Sequence, residues 1–507
     1  MPNTFAYAML FAWPIVTAIL FTRLQARDAV VWSLLGGMLL LPENTAIDLP
    51  GVPPFNKLSI ASLAVLCCAL MLGRERPTLI PRGAVGRALV LMLIAGPFVT
   101  ALLNGDRLSY GPNVLPGMST YDALAAVAQA VFMVIPFLLA RHYLATPEAH
   151  RTLLWAVLAA GLAYSLPILF EVRMSPQLHN IVYGFFPHSW GQQYRFGGFR
   201  PVVFMQHGLW LAMFVALVTV AAAALWRMAP PGQPQRRKLG LALVFFLVIA
   251  LLCRTVSVWA LLLIAVPLVV MASPRVQLRI AALLIGIVLL YPVLRGADLV
   301  PTETLISAGG AVSAERAESL QFRFDNEDRL LEKADRRPIF GWGSWGRNRV
   351  YHDVKELVLT VTDGYWVIVL GVGGWFGFAA TFGLLCLPVL LLWRRSAGNV
   401  PPETAGLAVM LAINAVNLIP NATLLPLTWL LAGAIYGHVE SRAPVPEPTP
   451  RGRPVRADRP PPRRAGRASG GEPATVGPSV PAGRRAGGVT TRPPYSRRPA
   501  GQGESRD

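Results

Sequence analysis

The chain has 507 residues, 54% hydrophobic and only 14% charged, with 46 Lys and Arg against 27 Asp and Glu. A soluble surface carries roughly 25% charged residues, so a string of soluble domains, a secreted domain and a nucleic-acid-binding globule are all excluded as readings. The apolar residues run in long blocks such as MLFAWPIVTAILF and GLLCLPVLLLW. Blocks of that kind approach the ~20 residues that cross a bilayer.

In chain order, apolar segments are predicted at 5–22, 29–42, 58–73, 88–103, 121–140, 152–170, 202–226, 239–253, 255–272, 280–294, 363–393, 404–420 and 422–438. They predict an all-α, polytopic integral membrane helix bundle of twelve to thirteen crossings over 1–438, since the short second segment can merge or split. The opening MPNTFAYAMLF lacks a basic run ahead of its apolar stretch, so a retained first span is predicted rather than a cleaved leader. Short loops rich in arginine (Arg23 and Arg27; Arg74, Arg76, Arg82 and Arg87; Arg141 and Arg151) fall on one side of this layout. By the positive-inside rule that side is cytoplasmic, and the odd count puts the N-terminus outside. Two extracytoplasmic loops are long, about 171–200 and 295–362, and a loop of the second size is usually functional. The second holds a charged helical stretch, SAERAESLQFRFDNEDRLLEKADRR, closed by PIFGWGSWG.

Residues 439–507 contain 14 Arg, 14 Pro and six acidic residues with almost no aliphatic clusters. Such a segment cannot bury enough apolar surface to offset its ordering entropy, so a disordered cytoplasmic tail is predicted. It acts either as a solubilising extension or as a polybasic strip against anionic lipids. Cys67, Cys68, Cys253 and Cys386 lie in or beside apolar spans, where cysteine behaves as a small hydrophobe.

The outward face carries the candidate chemistry. A charge near the bilayer centre costs about 2.5–3.5 kcal/mol on insertion scales, so retained arginines mark candidate sites. Arg254 interrupts LVIALLCRTVSVWALLL, Arg195 and Arg200 bracket FGGF, and Arg323 lies in the large loop. Arginine suits phosphate because its planar fork gives bidentate, charge-assisted hydrogen bonds. A diphosphate at the membrane surface is the simplest ligand for such a set. His207 and Asp363 open apolar spans and His352 lies in the loop, and these are the acid–base candidates. Each residue also has a plainer reading. Arg195, Arg200 and Arg254 could anchor at the headgroups, and Arg323 could be one charge of a solvated helix. His207 could hydrogen-bond within the bundle, Asp363 could cap a helix, and His352 could be loop surface. No GxxxxGK[ST], HExxH or GxSxG occurs, and no paired Asp motif suits a nucleotide-sugar metal, so a reaction without metal or cofactor, or no reaction at all, is expected.

The stretch from Arg323 to Gly343, RFDNEDRLLEKADRRPIFGWG, resembles the large periplasmic loop of the O-antigen ligase and O-antigen polymerase superfamily. Arg323, Pro338, Gly341 and Gly343 fill the pattern of an arginine, an amphipathic helix, then Pro and G-x-G. TDGYWVIVLGVGGWFGF resembles the next block, RFGGFRPVVFMQHGLWLAMFVAL the Arg-x-x-Gly entry to a middle helix, and CRTVSVWALL the Ser-Arg-Gly corner. The four landmarks follow family order over about 200–380. The family's aromatic position four residues after the loop arginine is Glu327 here, and Asp363-Gly364 stands where many ligases have His-Asn.

The resemblance implies a glycosyltransferase of the bacterial inner membrane that polymerises or ligates O-antigen or exopolysaccharide. Its donor would be an undecaprenyl-diphosphate-linked glycan and its acceptor a hydroxyl on a glycan or lipid, with a chain-length regulator as a further partner and no nucleic acid. Carried onto this sequence, Arg200, Arg254 and Arg323, with Arg195 as neighbour, hold the diphosphate. Asp363 orients or deprotonates the acceptor, with His207 and His352 in reserve. The alternative is a lipid-linked oligosaccharide flippase or polysaccharide transporter, for which pseudo-symmetric halves and helices broken at mid-membrane are expected.

Overall fold

The computed structural model describes residues 1–49, 52–311, 314–396 and 398–442. The first part is α1 (Thr4–Arg23), α2 (Ala26–Leu40), a hairpin of β1 (Ala46–Leu49) and β2 (Val52–Asn56), α3 (Lys57–Met71) and α4 (Ala84–Leu103). A second hairpin, β3 (Leu108–Tyr110) and β4 (Asn113–Leu115), leads to α5 (Thr120–Tyr143), α6 (Pro147–Met174) and the short α7 (Leu178–Tyr183). The smallest hairpin, β5 (Tyr194–Arg195) and β6 (Gly198–Phe199), precedes α8 (Gly208–Met228), α9 (Pro234–Leu252), α10 (Val256–Met271) and α11 (Pro274–Gly296). Then come α12 (Thr302–Gly310), α13 (Ala314–Asp335), α14 (Tyr365–Arg395), α15 (Pro402–Asn417) and α16 (Pro426–Ser441).

The chain is therefore an all-α bundle with three small hairpins at its loops. A helix lies over each of the thirteen apolar segments, while α7, α12 and α13 lie in the two long loops. Among the described residues, seven helices are long and apolar enough to cross a membrane: α1, α4, α5, α6, α8, α11 and α14. Local signals fix several starts. Asn56 and Ser59 form a capping box at α3, Ser119 and Asp122 another at α5, and Thr146 caps α6 ahead of Pro147.

Central α8 is buried almost throughout, from Leu211 to Leu225, whereas α1 and α4 keep one apolar face outward. Lipid offers helices little hydrophobic drive to associate, so small residues set the close contacts. Gly161 of α6 faces Val218 of α8, and Gly406 of α15 faces Ala224. Gly433 and Gly437 of α16 lie directly on the backbone of α5 at Phe137 and Arg141.

Contacts between loops sort into two ends. At one, Arg141 pairs with Glu440 at 2.6 Å and also donates to the Thr78 carbonyl, while Arg275 bonds the Gly398 carbonyl. At the other, Asn3 bonds Tyr183, Lys57 pairs with Glu43 at 2.9 Å, and Arg337 and Arg347 both grip Asp106, at 2.8 and 3.1 Å. The Arg337 hydrogen bond, together with both arginine charges, holds the Asp106 carboxyl below its ordinary range.

Several helix boundaries shift from expectation by up to six residues, and three departures stand out. The span expected at 202–226 becomes helical only at Gly208, because Glu171 accepts hydrogen bonds from the Val202 and Val203 amides (both 2.7 Å) and keeps that stretch out of the helix. The last helix runs to Ser441, past the expected boundary at 438, and the expected tail beyond Arg442 lies outside the described residues. The span expected at 363–393 is not continuous, since Gly374 breaks α14 with φ 62° and ψ −164°. The break leaves backbone groups unpaired, and the Pro338–Gly343 turn supplies partners. Trp342 and Gly343 donate to the Gly371 and Val372 carbonyls, both at 2.9 Å, and Trp375 and Phe376 donate to Pro338 and Ile339 at 2.7 and 3.0 Å. A break inside a helix long and apolar enough to cross a membrane requires this kind of repair by protein.

Candidate functional site

The site is built on two walls at the end of the bundle where the long loops meet. The first is the β5–β6 hairpin. Its turn residues Phe196 and Gly197 both have positive φ, 51° and 71°, as a type I′ hairpin turn requires. Behind it stands Arg254, in the tight connection between α9 and α10, itself at φ 50°. Its guanidinium donates to the Arg195 carbonyl at 3.3 Å and to the Phe196 carbonyl. Its own carbonyl accepts from Arg200 Nε at 3.2 Å. A Cβ on Gly198 would come within 2.5 Å of the guanidinium, so glycine there is what lets Arg254 lie flat against the hairpin.

The second wall is α13 with the segments it holds. Arg323 donates to the Pro420 carbonyl at 2.9 Å, and its Nε is 3.8 Å from Asp363 Oδ2. Asn326 accepts from the Val361 amide at 2.8 Å and so fixes the approach to Asp363. Asn421 and Thr423 are tied through Asn417 at 3.0 and 2.7 Å.

Between these walls is a cavity of about 1260 Å³. Arg195, Arg200, Arg323, His207 and Asp363 all line it, although they come from opposite halves of the chain. Arg349 lines it too, and sequence reading missed it. Arg349 lies three residues past the GWGSWG turn, and nothing in that spacing sets it apart from the other charges of the loop. Among the described residues the lining carries four arginines against one carboxylate, a surplus of positive charge suited to a polyanionic ligand.

Two of the expected residues lie elsewhere. Arg254 is not on the cavity wall, and its guanidinium is committed to the hairpin backbone, so it shapes the site through Arg195 and Arg200. His352 is also off the cavity: its Nδ1 accepts from the Val354 and Lys355 amides at 3.0 and 3.2 Å and closes a loop turn.

The remaining acid–base candidates differ sharply. His207 caps α8, its Nδ1 accepting from the Leu209 amide at 3.0 Å. That hydrogen bond assigns the proton of the neutral ring to Nε2. Burial first, then His188 and the charges of Arg200 and Arg195, push its pKa down to about 3. His207 can therefore donate a hydrogen bond into the cavity but is not set up to take a proton. Asp363 is not a cap, since Gly364 is the N-cap residue and no side chain caps α14. Burial raises its carboxyl above the ordinary range while Arg323 pulls it back, and its 40% side-chain exposure leaves it open to solvent.

A smaller crevice of about 360 Å³ lies between α4, α5 and α14, lined mainly by apolar residues such as Met92, Leu93, Met133 and Val369. Among the described residues, no charged side chain lines it.

No family model matches the chain, and no curated protein matches it.

Arg254→Ala is expected to loosen the β5–β6 hairpin without unfolding the bundle. Limited proteolysis should then cut at 194–199 faster than in wild type, while Arg254→Lys, which cannot reproduce the fork, is expected to lie between the two.

Proposed function

We propose that this chain is a membrane glycosyltransferase of the O-antigen ligase and polymerase type. It would transfer or polymerise an undecaprenyl-diphosphate-linked glycan onto an acceptor hydroxyl at the extracytoplasmic face. The observation that carries the proposal is the single cavity lined by Arg195, Arg200, Arg323 and Arg349 with Asp363 beside Arg323. In this reading thirteen helices cross the bacterial inner membrane. The arginine-rich short loops and the basic sequence after Arg442 face the cytoplasm, where that sequence meets anionic lipid.

The chemistry follows from the charges. The acceptor oxygen bonds the anomeric carbon, and the bond from that carbon to the diphosphate oxygen breaks. Negative charge grows on the departing diphosphate, where fixed guanidiniums stabilise it more than they stabilise the donor. Asp363 takes the acceptor proton. His207, donating from Nε2, orients a phosphate or sugar oxygen. Arg254 holds the hairpin that carries two of the four cations.

The flippase or transporter reading has one observation in its favour, the break in α14, because broken helices mark transporter sites. Here, however, the Pro338–Gly343 backbone fills the break, and none of the four arginines of the large cavity lies at it. The deciding experiment uses purified protein in nanodiscs with undecaprenyl-diphosphate glycan. The enzyme reading expects released undecaprenyl diphosphate and a lengthened or relocated glycan, and binding that weakens as salt rises. Translocation of intact donor across vesicles with no glycosidic bond formed would favour the transporter instead.

A further inference from the structure

One face of α13 is tied to three different segments within little more than a turn. Arg323 reaches Pro420 and Asp363, Asn326 accepts from Val361, and Glu327 meets α11. Glu327 is 8% exposed. Its Oε2 is 3.5 Å from Arg295 Nε and accepts from the Tyr291 hydroxyl at 3.1 Å. Arg295 is itself only 4% exposed and also pairs with Asp328 at 2.5 Å and with the exposed Asp298 at 3.7 Å. These are the charged and titratable groups around Glu327: Tyr291 and Arg295 from α11, Asp298 just beyond it, and Asp328 from α13. On the α14 side, Asp363 lies just before the helix and is paired with Arg323, four residues ahead of Glu327 in α13.

One guanidinium thus serves two carboxylates of α13 at a buried contact. When both are ionised the contact holds surplus negative charge, which a low-dielectric interface disfavours. Asp328 is closer to Arg295 and more than half exposed, whereas Glu327 is enclosed. Glu327 is the member that gains from a proton.

We propose that Glu327 is a positioning residue acting as a proton-dependent latch, which docks α13 on α11 and thereby sets where Arg323 meets the cavity. What Arg323 does there rests on the glycosyltransfer reading; the latch itself does not. Burial raises the Glu327 carboxyl to about 7, against the opposing pull of the Tyr291 hydrogen bond and Arg295. The docked form therefore binds more protons than the undocked one. Docking is strongest below the ordinary carboxyl pKa, weakens as pH rises toward about 7, and levels off above it.

The test is hydrogen exchange of the full-length protein in nanodiscs, with no substrate, from pH 5 to 8 and corrected for the intrinsic chemical rate. In wild type, protection of the amides at 322–331 should fall with rising pH by up to about tenfold per pH unit, then flatten. Glu327→Gln should hold high protection with no pH dependence. Tyr291→Phe removes a hydrogen bond that favours the carboxylate, so it should move the midpoint to higher pH. A flat wild-type profile, or the same profile in Glu327→Gln, overturns the latch. If Glu327→Gln does not fold, an unmoved midpoint in Tyr291→Phe overturns it. Since no glycan is present, failure of the transferase reading leaves this result standing, and loss of the latch leaves the effect of removing Arg323 intact.

Discussion

Arg323→Ala is expected to reduce glycan transfer by about 100- to 1,000-fold, the usual loss when one fixed donor to a developing oxyanion is removed. The fold should survive, because the lost contacts are one hydrogen bond to the Pro420 carbonyl and a half-exposed pair with Asp363. Arg323→Lys should restore little, since an ammonium cannot bridge two phosphate oxygens with a planar fork. The measurement is released undecaprenyl diphosphate from purified protein, with the melting temperature taken alongside. Wild-type turnover in Arg323→Ala would remove the central claim. The partner of this experiment is Asp363→Asn, expected to cost about 100- to 10,000-fold as the loss of a general base. Because burial raises the Asp363 carboxyl, wild-type activity should climb with pH as that group loses its proton, with a midpoint above the ordinary aspartate value. Asp363→Asn should lose the climb.

Gly374→Ala is expected to damage the fold rather than the chemistry. The residue sits at φ 62° and ψ −164°, a region open essentially to glycine alone, and such strain costs about 1–3 kcal/mol for other residues. A Cβ there would also stand 2.5 Å from the Pro338 carbonyl oxygen. The clash would expel the Pro338–Gly343 turn and leave the carbonyls of Gly371 and Val372 and the amides of Trp375 and Phe376 without partners. Gly341→Ala should act similarly from the opposite side, since its Cβ would meet the Val372 carbonyl at 2.5 Å and its φ is 68°. Thermal melting in detergent checks both. A melting temperature equal to wild type in both variants would show that the turn does not depend on this close approach.

The two glycines illustrate what was legible and what was not. GVGGWFG is a small-residue pattern inside an apolar run, which by itself favours close helix packing. The packing partner is a loop backbone from 29 to 37 residues earlier, and only three dimensions reveal that the helix breaks to receive it. Glu327 is similar. Its charge was visible in a mixed-charge helix, but its burial against Arg295 depends on where α11 ends. Arg254 falls between two predicted spans, 239–253 and 255–272, yet the direction of its guanidinium was not readable from its position.

The sequence by itself determined that the chain forms an apolar helical bundle. Hydropathy and length are properties of contiguous residues, and a run of about 16–20 apolar residues has few alternatives once exposed polar backbone is disallowed. Caps and prolines act within one turn, and where such a signal stands, as at Asn56, Ser119 and Thr146, it fixes a helix start. Only the tertiary structure decided that Arg195, Arg200, Arg323 and Arg349 share one cavity with Asp363, that Arg254 stands behind that cavity, and that His352 lies away from it. Those outcomes depend on the directions of side chains brought together from segments far apart in the chain, and no local pattern encodes them.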